Sequence, residues 1–192
     1  SGGQYNDGTT DITRTIALGH LSDKMKEYYT YVLKSHIALA TAKFKPGTTG
    51  LSLDAVARKP LKDHGLDYNH GTGHGIGHML CVHEGPNFIS SSGGKSTILP
   101  GMITSNEPGV YIKDEFGIRL ENEILCQKLE DGNFGFRTIT LCPFDRDAIA
   151  VDLLNKKELS WLNCYHSAVQ ELLYPLISDD EAAWLMEATA EI

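Results

Sequence analysis

The sequence lacks a long apolar run and a basic patch. A membrane helix needs about 20 consecutive, mostly apolar residues, and no segment approaches that length. Lys and Arg are scattered along the chain, and the formal net charge is -8 at pH 7, so nucleic acid and anionic membranes are poor partners. The first residues show no signal-peptide pattern. We therefore predict a cytoplasmic protein that acts on peptides or proteins.

Cysteine pairs at metal or redox spacing are also missing. Cys81, Cys126, Cys142 and Cys164 form no C-x-x-C motif, which disfavours a thiolate zinc site or a redox motif, and we expect four reduced, packed thiols. Hydrophobic residues make up 41% and charged residues 22% of the 192 residues, as in ordinary globular domains.

Helical periodicity marks both ends of the chain. Ser22 can cap a first helix whose inward stripe includes His36 and which ends before Pro46. A second helix is expected from about Ser52 to Lys62, with Gly65 as its stop. Its predicted inward residues are Leu53, Val56, Ala57 and Leu61.

The middle of the chain reads as short strands separated by turn dipeptides such as Pro100-Gly101. The candidate strands are 79–83, 103–106, 110–113, 118–126 and 136–144. Past residue 147, Asn155 with Glu158 and Ser178 with Glu181 have capping-box spacing. An amphipathic stripe lies between them, formed by Leu162, Tyr165, Val169, Leu172 and Leu173. An α+β fold is predicted, with a body over 1–147 and a helical unit over 148–192.

Residues 70–78 hold three histidines among four glycines. Glycine lets backbone segments pack closely, so His70, His74 and His78 could point into one space. A phosphate loop is disfavoured, because neither a Gly-Lys-Ser/Thr ending nor G-x-G-x-x-G spacing is present. A flexible surface loop remains the alternative.

Carboxylates stand at three further places. Asp11 follows a Gly- and Thr-rich stretch, Glu107 follows a predicted strand, and Arg119, Glu121 and Glu123 would share one strand face. Taken singly, each has a plain alternative as a solvated turn or sheet face. Together with the histidines, and without cysteine, they favour a hard or borderline divalent cation.

His83 with Glu84 follows an apolar segment and could end a strand. The pair is not a zincin motif, because the second histidine of H-E-x-x-H is missing.

Four motifs resemble the metal-site motifs of the pita-bread metallopeptidases: Gly8-Thr9-Thr10-Asp11, residues 70–75, Asn106-Glu107-Pro108-Gly109 and residues 118–122. That family includes methionine aminopeptidases, prolidases, creatinases and Xaa-Pro aminopeptidases. Residues 4–15, 83–86 and 161–166 are most similar to the long, three-domain Xaa-Pro aminopeptidases, also called aminopeptidase P. The resemblance implies the later half of a pita-bread catalytic domain with a small helical C-terminal appendage.

The resemblance also implies a ligand set and a substrate. Asp11 and Glu121 would bridge two divalent ions, usually Mn²⁺ with Co²⁺, Zn²⁺ or Fe²⁺ as alternatives, and His74 and Glu107 would ligate one of them. Glu107 would also carry a proton from the attacking water to the leaving nitrogen. The substrate would be a peptide with proline as its second residue.

The remaining roles concern the substrate and the support of the ligands. By the same resemblance, His70 and His83 would touch the substrate and the oxyanion, and Arg119 would hold the region of Glu121.

The chain also departs from the family pattern. Relatives have an aspartate ligand immediately before the position of Ser1, and a first half of the catalytic domain before that. We therefore expect at most one tightly held ion in this chain, little or no activity, and a homodimer or swapped assembly that covers exposed edges. Asn106 stands where some relatives have aspartate, which need not impair ligation.

Three other functions stay open. A prolidase-like enzyme would prefer dipeptides, and the C-terminal helical unit disfavours it. A creatinase works without metal, and the retained ligands disfavour it. A non-catalytic pita-bread binding module would be expected to lose its ligand residues, which are present here.

Overall fold

The computed structural model describes residues 2–79 and 81–192. By its internal contacts the chain divides into two units, one of Ser1–Thr13 and Tyr31–Thr140, the other of Arg14–Thr30 and Leu141–Ile192. Each unit draws on separate parts of the sequence, and the predicted boundary at residue 147 stays a prediction. No helix in the described ranges is long and apolar enough to cross a membrane.

Both predicted N-terminal helices are present. Helix α1 spans Asp23–Ala40, and the Ser22 hydroxyl accepts the Met25 N–H at 3.3 Å, which confirms the cap. Helix α2 spans Gly50–Lys62, and Gly65 follows it with φ +72°. The inward prediction for Val56 is wrong: the residue is 41% exposed, because the buried stripe of α2 passes through Leu53, Ala57 and Leu61 on the other face.

The strands are short and pair antiparallel. They are β1 Gly2–Tyr5, β2 Gly8–Asp11, β3 Gly73–His74, β4 Phe88–Ile89, β5 Ile103–Asn106, β6 Gly109–Ile112, β7 Phe116–Arg119, β8 Asn122–Lys128 and β9 Phe134–Thr138. Among the described residues, β5, β8 and β9 form a three-stranded sheet in the order β5-β8-β9. The other strands pair as β1–β2, β3–β4 and β6–β7. The predicted α+β class is confirmed.

Two of the predicted strands match observed ones, and the one that follows a glycine-rich turn does not. The strand at 103–106 is confirmed, and the one at 110–113 lies one residue earlier. The strand at 79–83 is wrong for its described residues: the Gly77 N–H bonds the Cys81 carbonyl at 2.9 Å in a turn. Leu80 lies outside the described residues.

Two long predicted strands are also shorter than expected. The run 118–126 breaks into β7 and β8 because Glu121 pairs with Thr13 instead of continuing β7. The run 136–144 ends at Thr138, since Thr140 bonds the Glu123 N–H with its side chain at 2.8 Å. The sequence did not predict strands β1 to β4, because each has only two to four residues and the first three contain glycine.

The core of the first unit lies between α2 and the three-stranded sheet. Its buried residues are Leu39, Phe44, Leu53, Ala57, Ile89, Ile98, Ile124, Cys126 and Phe134. Cys126 is therefore packed as predicted. Cys81 and Cys164 are exposed, so the prediction of packed thiols is wrong for these two.

The second unit contains α3 Lys156–Leu173 and α4 Asp179–Ala188, with 3₁₀ turns at 146–148, 151–153 and 174–176. Both predicted capping boxes are present, at Asn155 and Ser178. The predicted stripe of α3 buries Leu162, Tyr165 and Val169. Leu172 is 54% exposed, so the stripe ends a turn earlier than the sequence indicated.

Candidate metal centre

Four predicted ligand residues are carried by four segments of the first unit. Asp11 ends β2, His74 ends β3, Glu107 follows β5, and Glu121 precedes β8. In the β5–β8 ladder Asn106 pairs with Asn122, so the glutamates next to these two residues leave the sheet at the same end. The Glu121 N–H bonds the Thr13 carbonyl at 2.9 Å, which draws in the end of β2.

The side chains of these residues converge. The Nε2 atom of His74 lies 3.3 Å from Glu107 Oε1 and 3.5 Å from Asp11 Oδ2. His74, Glu107 and Glu121 offer ligand atoms that all lie within 4.8 Å of one another, and so do Asp11, His74 and His83. Both groups contain His74, so within residues 2–79 and 81–192 they describe one centre.

The predicted substrate-contacting histidines lie at the same place. The ring of His83 stands edge-on to that of His74 at 4.3 Å between centroids. His70 Nε2 is 2.9 Å from the Tyr111 hydroxyl, which also accepts a bond from Arg119 Nε at 2.8 Å. Cavities of about 450 Å³ and 510 Å³ adjoin the centre, and His74, His83, Glu107 and Arg119 line both.

Arg119 and Tyr111 lie together at one edge of the centre. Arg119 Nη1 lies 3.6 Å from Glu107 Oε2, so its cation faces a carboxylate of the predicted ligand set. Tyr111 was missed from the sequence. The sequence clue was its position four residues after Glu107, in the strand that follows this glutamate.

The local glycines are required for this packing. A Cβ on Gly73 would stand 1.9 Å from the Ser105 carbonyl oxygen, a distance no side chain tolerates. Glycine thus lets β3 approach β5 closely enough to bring His74 beside Glu107.

The carboxylates raise one another's pKa. Burial, then the charge of Glu121, raises the pKa of Glu107 to about 7. Burial and the charge of Asp11 also raise the pKa of Glu121, while burial and His83 lower the pKa of His74. Neutral imidazole is the form of histidine that binds a metal ion, and a divalent cation would favour the ionised form of the neighbouring carboxylates.

The donor set fits a divalent metal ion. It consists of carboxylate oxygens and one or two imidazole nitrogens, which suit Mn²⁺, Fe²⁺, Co²⁺ or Zn²⁺. Cysteine takes no part in either cluster. The chemistry of these side chains is therefore consistent with the ions that the sequence motifs imply.

Glu123 is a buried acid beside the centre. From the sequence it was placed on a strand face and assigned no role. Its Oε1 accepts the Asp11 N–H at 2.7 Å. Burial, followed by the charges of Asp11 and Glu121, raises its pKa to about 7, although the bond from Asp11 lowers it.

We expect Glu123→Gln to change how the stability of the metal-free chain depends on pH. A carboxyl group with a raised folded-state pKa stabilises the fold below its unfolded pKa of 4.5 and loses that contribution as pH rises through 7. The variant should therefore gain about 2 kcal/mol relative to wild type between pH 4.5 and 7. Denaturant unfolding at pH 5 and pH 8 measures this, and the histidine titrations cancel in the difference. Equal pH dependence in both proteins would refute it.

A second group missed from the sequence holds the histidine-rich segment. Arg58 of α2 is buried, and its guanidinium donates to the carbonyls of Tyr68 and His70 at 2.6 Å each. Its Nε pairs with Asp54 Oδ2 at 2.7 Å, and Asp54 Oδ1 accepts the Thr72 hydroxyl at 2.6 Å. The Arg58–Asp54 pair thus ties α2 to the segment that bears His70 and His74.

Known proteins are similar to this chain in sequence and in fold. Residues 1–128 match the family model of metallopeptidase family M24, and residues 132–192 match that of the C-terminal region of peptidase M24. Aminopeptidase P1 of Arabidopsis thaliana is 46% identical over 201 residues, which cover 100% of this chain and 31% of that protein. The chain belongs to metallopeptidase family M24, and it spans about a third of the length of such relatives.

Two solved structures show how far the likeness extends. The X-prolyl aminopeptidase of Caenorhabditis elegans, described as a cytosolic enzyme with a di-nuclear active site, matches 100% of this chain and 32% of its own with TM-score 0.93 and 38% identity. The prolidase of Pyrococcus furiosus matches 71% of this chain and 38% of its own with TM-score 0.63 and 34% identity. The predicted pita-bread fold and the resemblance to the C-terminal part of aminopeptidase P are confirmed.

Proposed function

We propose that this chain carries the metal centre of an Xaa-Pro aminopeptidase, which removes the N-terminal residue from peptides whose second residue is proline. The observation that carries the proposal is the convergence of Asp11, Glu107 and Glu121 on His74, in two ligand groups that share this histidine. The likeness to aminopeptidase P over the whole chain supports the substrate class.

Asp11 and Glu121 would bridge two divalent ions, and His74 with Glu107 would complete one of the two positions. Manganese is the proposed ion, with Co²⁺, Zn²⁺ and Fe²⁺ as alternatives. Because both ligand groups share His74, we expect at most one tightly held ion in this chain. The di-nuclear site of the C. elegans enzyme supports two ions in the whole protein.

The bound ions would supply a lower pKa for the attacking water and a polarised scissile carbonyl. Glu107 would accept the water's proton and deliver it to the leaving proline nitrogen. Its carboxylate is held by a bond from the Ser105 hydroxyl to Oε1 at 3.1 Å and by the Arg119 cation near Oε2. These contacts leave the carboxylate oriented toward His74 and the shared cavities.

The neighbouring side chains would hold the peptide. His70 and His83 line the cavity of about 510 Å³, where they would contact the substrate and the oxyanion. Arg119 would balance the charge of Glu107 and Glu121. The cytosolic C. elegans relative supports a cytoplasmic location, and a homodimer stays a prediction.

A prolidase-like dipeptidase is the second candidate. The likeness to the Pyrococcus furiosus prolidase covers 71% of the chain. The likeness to aminopeptidase P covers the whole chain, including residues 132–192, which match the C-terminal region of peptidase M24. That C-terminal unit favours the aminopeptidase. The presence of Asp11, His74, Glu107 and Glu121 together disfavours a non-catalytic binding module.

Peptide hydrolysis distinguishes these functions. The longest natural polypeptide that carries this sequence should, with Mn²⁺, release the first residue of an Xaa-Pro-Yaa tripeptide faster than it cleaves an Xaa-Pro dipeptide. Preference for the dipeptide would replace the aminopeptidase with a prolidase. Cleavage of neither peptide would leave a binding module as the better account.

A further inference from the structure

A fully buried histidine lies behind the candidate metal centre. His36 of α1 is 0% exposed, and it is absent from both ligand clusters. Helical periodicity places it in the inward stripe of α1, where an apolar residue would serve packing equally well. A polar ring at such a position needs hydrogen-bond partners.

Those partners flank the two glutamates of the centre. Asn106, which precedes Glu107, donates its Nδ2 to the His36 carbonyl at 2.9 Å. The His36 ring meets the residues on either side of Glu121, since Nδ1 lies 3.3 Å from the Leu120 carbonyl and Nε2 lies 3.2 Å from Asn122 Nδ2. One residue of α1 therefore contacts both ligand-bearing segments: its backbone carbonyl accepts from the segment of Glu107, and its ring contacts the segment of Glu121.

The hydrogen bonds define the state of the ring. A carbonyl oxygen only accepts, so His36 Nδ1 carries the proton and donates it to Leu120. Nε2 is then free of a proton and accepts from the Asn122 amide. This single neutral tautomer satisfies both contacts, whereas an aliphatic side chain at position 36 would make neither.

We propose that His36 is a positioning residue for the metal centre: it fixes Glu107 and Glu121 relative to each other through Asn106, Leu120 and Asn122. The inference rests on the proposed function, because it assigns the glutamates as ligands. Asn106 and Asn122 sit opposite each other in the β5–β8 ladder, so the corner held by His36 is where both ligand segments leave the sheet.

The test compares Mn²⁺ affinity with stability in the chain and its variants. Calorimetric titration of metal-free His36→Leu should give Mn²⁺ binding weakened by about ten-fold or more. His36→Gln keeps one amide in place of two ring contacts and should give an affinity between those of wild type and His36→Leu. Leu39→Ala is the control: it lies on the same helix, is 0% exposed and belongs to the core cluster. It should lower the unfolding temperature and leave the Mn²⁺ affinity unchanged.

The outcomes separate positioning from general stability. Affinity unchanged in a folded His36→Leu chain, with only a lower unfolding temperature, would overturn the proposal and leave the proposed function standing. If His36→Leu does not fold, Asn122→Ala, which removes the amide bonded to the ring, decides in the same way. Absence of Mn²⁺ binding in the wild-type chain would reject the proposed function, and the role of His36 with it.

Discussion

Glu107→Gln should reduce hydrolysis of an Xaa-Pro-Yaa tripeptide by about 10²- to 10⁴-fold in the longest natural polypeptide carrying this sequence. The amide keeps the size of the side chain and can still accept the Ser105 hydroxyl. It cannot take up a proton at neutral pH, and it is a poorer ligand than a carboxylate. The loss should therefore appear in kcat as well as in the metal requirement, measured over a range of Mn²⁺ concentrations.

Glu130→Gln is the matched control for Glu107. Glu130 is exposed in the turn between β8 and β9, so the same chemical change there should leave the rate within normal error. A Glu107→Gln enzyme that retained most of its activity would remove Glu107 from the mechanism.

Arg58→Met should lower the free energy of unfolding by about 3 to 5 kcal/mol, the typical cost of breaking a buried ion pair. Arg58 and Asp54 are 4% and 2% exposed, so the variant leaves a buried carboxylate without its cation. It also leaves the carbonyls of Tyr68 and His70 without the guanidinium that holds them. Denaturant unfolding at pH 7 measures the loss.

The next residue of α2 provides the control. Lys59 pairs with Asp63 at 2.7 Å, but these side chains are 71% and 54% exposed. Lys59→Met should cost about 0 to 1 kcal/mol, as surface ion pairs do. Similar losses for Lys59→Met and Arg58→Met would mean that the buried pair is not an anchor for the histidine-rich segment.

The candidate ligand residues could be predicted because they stand in short local motifs. His74 stands among glycines that allow close packing, Glu107 stands where an apolar stretch ends, and Glu121 stands in a segment where apolar and charged residues alternate. The helix starts at Ser22, Asn155 and Ser178 were predictable for the same reason, since caps depend on neighbouring residues.

The supporting residues could not be predicted, because their partners lie far away in the sequence. Glu123 reaches Asp11, and His36 reaches Leu120 and Asn122. The sequence around Arg58 does not reveal its carbonyl partners, because they lie in the segment 68–72, which follows α2. The failed strand at 79–83 has the opposite cause: its apolar residues suggested pairing, but the turn between Gly77 and Cys81 uses backbone groups that a ladder would need.

Calorimetric titration of the metal-free chain with Mn²⁺ at neutral pH, beside a Glu107→Ala variant, tests the account most directly. We expect one tight site per chain in the wild type and loss of that site in the variant, because His74, Glu107 and Glu121 would share the ion. Absence of binding, two tight sites, or equal binding by the variant would contradict the metal centre described here.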